Sequence, residues 1–305
     1  MKFQLFSWQP PPELKITSYA STVITPKPAL WRWVIGTLLI LVIWQLGGAI
    51  ATIATALFLS VPLDDLPTFP QVEPWRALLI VLVSFIPLFL IVPLSYRLLL
   101  QLPWKRVITP FKKISARRTG HGFLAMSAIL IPLLSIKLIF NQSAFKLTFN
   151  LREFLPYLLI ALTFLFIQTT SEEFFFRGWL LHWLDNGKLP TWAIALISGA
   201  LFAAPHMVNP EIKGDYLFSF ISFAAIGIAL TLATLRDRTL ELAIGAHFAN
   251  NFLAGTLVGY QDSALPSAAI FFTGELNWAA SAATSIAIIP LFLWLTRPKK
   301  VERFQ

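Results

Sequence analysis

Seven side chains that can hold a proton or a hydrogen bond lie within stretches otherwise almost free of charge: Glu172, Glu173, Arg177, His206, His247, Asn250 and Asn251. An ionisable group inside an apolar helix costs about 2.5–3.5 kcal/mol on insertion scales, so such groups face the bundle interior and mark function. Glu173 and Arg177 are four residues apart with the acid first, the favourable order for a helical ion pair. In low dielectric an unpaired charge is very costly, so this pairing is nearly forced and Glu173 reads as structural. Adjacent helical residues point about 100° apart, so Glu172 and Glu173 are not expected to face one target, and Glu172 is left for other work.

Glu172 precedes Leu189 by 17 residues and His206 follows it by 17. If the segment 185–190 is the turn of an antiparallel helical hairpin, the carboxylate and the imidazole lie at one depth. His247 and Asn251 are four apart and share a helix face, with Asn250 close to it. One carboxylate, two imidazoles and an amide thus converge from three helices. That set suits hydrolysis of a peptide bond by activated water. A buried carboxylate can act as base near neutral pH. His206 can hold the same water or pass a proton to the leaving amine. His247 and Asn251 can donate to the tetrahedral oxyanion, an interaction worth a few kcal/mol. Cysteine is absent and Ser171 has no evident His–Asp relay, so no rival nucleophile presents itself.

The elements that must position these groups are membrane helices. Of 305 residues, 56% are hydrophobic and 13% charged, with mean hydropathy +0.70. A soluble domain carries about a quarter charged residues. Long uncharged stretches separated by short charged ones predict an all-α, polytopic bundle of about eight transmembrane helices. Residues 1–30 read as a cytoplasmic arm, since no apolar run follows Lys2 as a signal peptide would require. Residues 31–150 read as three helices with a basic loop: 33–63, 77–96 (kinked at Pro87 and Pro93) and 121–140. Residues 151–262 read as the catalytic core, with helices at about 154–184, 190–206, 216–235 and 240–260. Residues 263–305 hold a last helix, 276–296, and a basic tail.

The net charge of +9 belongs to this topology, not to nucleic acid. With both termini inside, the cytoplasmic segments hold 18 of the 24 Lys and Arg and the outer loops four. That bias supports an even number of spans with cytoplasmic termini. The absence of cysteine excludes disulfides, cysteine-ligated zinc, thiol nucleophiles and S-palmitoylation.

At the polar residues the sequence resembles the CPBP family of intramembrane proteases, which includes type II CAAX prenyl endopeptidases and bacteriocin-processing or self-immunity proteins. The family pattern E-E-x-x-x-R is matched by Glu172-Glu173-Phe174-Phe175-Phe176-Arg177, F-x-x-x-H by Phe202 to His206, and H-x-x-x-N by His247 to Asn251, in the family's order. The resemblance runs from about Pro156 to Tyr260. It implies an endopeptidase in which Glu172 and His206 activate water, His247 and Asn251 form the oxyanion hole, and no metal cofactor is needed. Its partners would be membrane lipid and a membrane-associated or lipidated peptide.

Three other readings stand beside this one. Glu172, His206 and His247 could bind zinc, a two-His, one-carboxylate set, although no H-E-x-x-H occurs. The cluster could be kept for shape in a non-catalytic immunity or scaffold protein. Intramembrane Glu and His also suit a proton-coupled transporter, but no repeat supports it. At about 1.5 Å per residue, Glu172 lies roughly 25 Å from the hairpin turn and His247 about 12 Å from the inner end of its helix. Protrusion of the 185–190 hairpin into the cytoplasm would reconcile these depths and predicts a site facing the cytoplasm.

Overall fold

The computed structural model describes residues 28–297 except 67, 68, 70, 71 and 186–188. The expected N-terminal arm up to residue 27, the Asn-Gly-Lys part of the hairpin turn and the basic tail from 298 lie outside the described residues. Among the described residues, eight helical segments carry the fold: α1 Leu30–Phe58, α2 Pro74–Leu98, α3 Ala116–Phe140, α4 Leu151–Leu184, α5 Thr191–Val208, α6 Tyr216–Asp237, α7 Glu241–Thr256 and α8 Trp278–Leu295. Seven of them are long and apolar enough to cross a membrane. The other, α7, has 16 residues and is buried along most of its length.

The departures from the sequence expectation have local causes. α2 breaks at Ser84 and Phe85, just ahead of Pro87, whose missing N–H and bulky ring disrupt the turn before it. Pro93 stays inside the helix. α3 begins at Ala116, five residues earlier than its apolar run, because Ser115 accepts from the Arg118 N–H at 3.3 Å and caps it. Asn150 caps α4 in the same way, accepting from the Arg152 N–H at 3.1 Å. α4 contains two π-helical stretches, Ala161–Leu165 and Phe174–Leu180, the second directly after the Glu pair. Such bulges concentrate at functional sites and have no hydropathy signature.

α7 ends at Thr256 rather than near 260, because the chain turns into a strand. β1 (Phe145–Leu147), β2 (Val258–Tyr260) and β3 (Phe271–Thr273) form a small sheet in the order β1-β3-β2, with β1 antiparallel and β2 parallel to β3. Three-residue strands are too short to show an alternating pattern, so the sequence reads them as loop. The sheet joins the α3–α4 and α7–α8 connections on one face of the bundle. Lys213, in the α5–α6 connection, meets Asp262 at 2.6 Å and Glu275 at 3.0 Å on that same face.

The opposite face is tied by other bonds. Arg118 pairs with Asp237, the Leu240 N–H donates to the Ile108 carbonyl at 2.9 Å, and Arg236 donates to the Leu293 carbonyl at 3.0 Å. This face carries the basic α2–α3 connection.

Close helix approach depends on glycine. α7 lies along α3 so tightly that a Cβ on Gly245 would overlap the Thr119 carbonyl oxygen, and one on Gly122 would overlap that of Leu242. Small residues allow such backbone contact between membrane helices. Gly245→Ala is therefore expected to lower stability by about 1–3 kcal/mol, as overpacking does. Thermal unfolding in detergent measures it, and an unchanged midpoint would mean the helices can separate freely.

Candidate active site

α4, α5 and α7 bring the polar residues together in the middle of the bundle. Arg177 is fully buried; its Nη1 donates to Glu173 Oε1 at 2.9 Å and its Nη2 to the Gly227 carbonyl at 3.1 Å. The guanidinium also lies over the Phe202 ring, 4.5 Å from the centroid, an arrangement that adds cation–π attraction. Glu173 does more than pair with Arg177. Its Oε1 also accepts from His247 Nδ1 at 2.7 Å. On the other edge of that imidazole, Nε2 lies 3.4 Å from Glu172 Oε2.

The expectation that Glu172 and Glu173 cannot share a target is thus corrected. Two adjacent carboxylates diverge from α4, but an imidazole presents nitrogens at opposite edges, and the His247 ring straddles the ridge between them. The ring is 2% exposed and touches Phe202, centroid to centroid 5.5 Å. Glu172 Oε2 is buried and accepts no hydrogen bond among the described residues.

His206 sits in the last, 3-10 turn of α5, Ala204–Val208. Pro205 has no N–H to return to Leu201, so the helix tightens there. The Phe202 carbonyl takes His206 Nδ1 at 2.7 Å. A carbonyl only accepts, so Nδ1 carries the hydrogen and Nε2 of the neutral ring is a base. The ring stacks on Phe223 at 4.3 Å and packs against Phe202 at 4.8 Å. Phe202 therefore touches Arg177, His206 and His247 at once, which gives the aromatic position a packing role at the centre of the cluster.

Glu172, His206, Asn250 and Asn251 line one cavity of about 320 Å³; His247 does not. Gln168, one turn before Glu172 on α4 and not singled out by the sequence reading, lines it too. Asn251 Nδ2 donates to Gln168 Oε1 at 3.4 Å, and Asn250 Nδ2 donates to Asn251 Oδ1 at 3.0 Å. These two bonds orient the Asn251 amide, engaging its oxygen and one of its two N–H groups. The signal that could have found Gln168 is its i, i+4 spacing from Glu172.

The cavity corrects a second expectation. Its rim is formed by Asn209 and Glu211 after α5 and by Tyr260, Ser263 and Leu265 after α7, all on the sheet face. That is the end of the bundle opposite the 185–190 turn, whereas the depth argument placed the opening at the turn. The rim is built: Glu211 Oε1 accepts from Asn209 Nδ2 at 3.0 Å and Oε2 from the Ala264 N–H at 2.9 Å. Towards the turn, Phe174, Phe175, Phe176, Trp179 and Leu181 are buried in one apolar cluster with Tyr96, Phe202 and Ile244.

No group of three or more His, Asp or Glu side chains among the described residues is arranged to hold a metal ion.

Fold and site define a polytopic helical membrane protein with a buried carboxylate–imidazole–amide centre that opens into a cavity within the bundle. Residues 154–253, about a third of the chain, match the model of the family described as type II CAAX prenyl endopeptidase Rce1-like. The likeness covers every polar residue of the centre and points to CAAX-type protease activity in the membrane. The chain is also 29% identical over 216 residues to a Bacillus subtilis protein named as the uncharacterised protein YyaK, across 69% of this chain and 72% of that one. No solved structure matches.

Proposed function

We propose that the protein is an intramembrane endopeptidase that cleaves a peptide bond of a membrane-associated or lipidated polypeptide. The observation that carries this reading is the arrangement around Glu172: a buried, unsatisfied carboxylate oxygen beside His247, on a cavity shared with His206 and Asn251. Glu172 removes a proton from water as the water oxygen attacks the peptide carbonyl carbon. The carbonyl π electrons move to the oxygen, which becomes the oxyanion. Asn251 donates its remaining N–H to that oxygen. His247 gives Nδ1–H to Glu173, so it can donate from Nε2 only as the imidazolium. When the tetrahedral intermediate collapses, the C–N bond breaks and the proton held by Glu172, or one passed through His206, goes to the leaving nitrogen. Preorganised donors of this kind are worth a few kcal/mol each.

The test separates this mechanism from a zinc-dependent one. Purified protein is offered a membrane-peptide library with and without the chelator phenanthroline. Cleavage that the chelator spares supports the carboxylate mechanism. Cleavage that it abolishes means that Glu172 and the histidines act as ligands. No cleavage by folded protein would favour the non-catalytic immunity or scaffold reading.

Gln168 acts through Asn251 in this scheme, as a positioning residue. Gln168→Leu is expected to lower kcat about tenfold with KM nearly unchanged, and Asn251→Ala about 10²–10³-fold, the range for an oxyanion donor. The double replacement should be no worse than Asn251→Ala alone, because residues acting as one unit are not additive. Additive losses would place Gln168 outside the oxyanion site.

A further inference from the structure

The direction from which the centre is reached follows from three observations that the proposed activity does not use. The cavity beside Glu172 is bounded by the α5–α6 and α7–α8 connections on the sheet face, and its rim residue Ser263 is half-buried, not sealed. Below Glu172, residues 173–182 of α4 are all buried, and their aromatic side chains fill the bundle towards the turn at 185–190. Charge distinguishes the two faces. Of the 17 Lys and Arg among the described residues, 11 lie in segments on the side of the 185–190 turn and four in those on the sheet side. The sheet-side segments carry eight of the 13 acidic residues among the described residues, among them Glu211, Asp262 and Glu275.

Cytoplasmic segments collect Lys and Arg, and long polar domains that could override the rule are absent among the described residues. The basic face is then cytoplasmic and the sheet face is not. We infer that the cavity opens to the non-cytoplasmic side, and that its substrate is a peptide segment lying at or beyond that surface of the membrane, not a lipidated tail in the cytoplasm. This rests on the proteolytic reading for the word substrate, but the direction of the opening does not.

Physical access explains the choice of substrate class. A tail approaching from the cytoplasm meets the packed aromatic cluster around Trp179, which is fully buried and donates from its indole N–H to Thr37 Oγ1 at 2.9 Å. From the sheet side, Asn209 and Leu265 line the same cavity as Glu172. A neighbouring groove of about 730 Å³ shares Val81, Tyr260 and Leu265 with the cavity and adds Leu66, Phe69 and Phe272. Apolar residues flanking the scissile bond have room there.

The chain contains no cysteine, so single cysteines report the sides directly. Ser263→Cys marks the rim and Lys113→Cys the basic α2–α3 connection. Gly274→Cys, where an added Cβ would meet nothing within 4 Å, marks the sheet face again should the Ser263 variant fail to fold. Sealed right-side-out and inside-out vesicles are treated with a membrane-impermeant maleimide. Labelling of Cys at 263 or 274 in right-side-out vesicles, with Cys at 113 labelled only in inside-out ones, is the expected result. The reverse pattern overturns the inference, whatever the outcome of any cleavage assay. In the second arm a water-soluble peptide library is added to the same vesicles. Cleavage in right-side-out vesicles alone is expected, and cleavage confined to inside-out vesicles overturns the substrate assignment. If neither orientation cleaves while the labelling is as expected, the orientation of the cavity stands and the assignment of a peptide substrate at that surface is overturned.

Discussion

Glu172→Gln is expected to lower kcat by about 10²–10⁴-fold, the range for loss of a general base. Glutamine matches the carboxylate in size and hydrogen-bonding reach but cannot take a proton from water. The residue is 7% exposed, its Oε2 accepts no hydrogen bond among the described residues, and the isosteric amide can keep the 3.4 Å contact with His247 Nε2. The fold should therefore persist. Removing a charge from beside Glu173 also relieves a repulsion, so the unfolding midpoint should stay or rise. Single-turnover cleavage by wild type and variant, with thermal unfolding of both in detergent, reads the two effects separately. A Glu172→Gln protein that cleaves at the wild-type rate would remove Glu172 from the mechanism. Loss of activity together with loss of the fold would make Glu172 a structural residue.

Arg177→Met is expected to act in the opposite sense, through stability. Arg177 and Glu173 are both completely buried, and Arg177 is the permanent cation within bonding distance of that carboxylate. Truncating one member of a buried ion pair leaves the other uncompensated and costs about 3–5 kcal/mol, whereas replacing both with well-packed neutral groups is often nearly neutral. Arg177→Met should therefore unfold far more readily than wild type, and Glu173→Gln with Arg177→Met should recover most of the loss. The double variant should still cleave slowly, because the Glu173 carboxylate that holds His247 Nδ1 has gone while Glu172 remains. Denaturation midpoints of the three proteins test the first statement. Equal midpoints for Arg177→Met and the double variant would show that the guanidinium contributes packing over Phe202 and little charge compensation.

The sequence by itself determined the helical membrane architecture and the composition of the centre. Apolar runs of about 20 residues and the uneven spread of Lys and Arg are properties of segments, and they can be read without knowing how the segments pack. Spacing within one helix is equally local, so the Glu173–Arg177 pair and the common face of His247 and Asn251 were legible from i, i+4 positions. Helix starts at Ser115 and Asn150 were less so, because hydropathy falls before the capping residue is reached.

Contacts between helices were decided only by the tertiary structure. Nothing in the spacing places the His247 ring across both carboxylates, since that depends on how far α7 lies from the ridge of α4, where a π-helical stretch begins. Gln168 joined the site for the same reason: its partner Asn251 is 83 residues away. The opening of the cavity was misjudged from helix lengths because depth along one helix says nothing about what fills the space beside it. The aromatic cluster below Glu172 closes one end, and the short strands and loops after α5 and α7, which carry no periodic signal, frame the other.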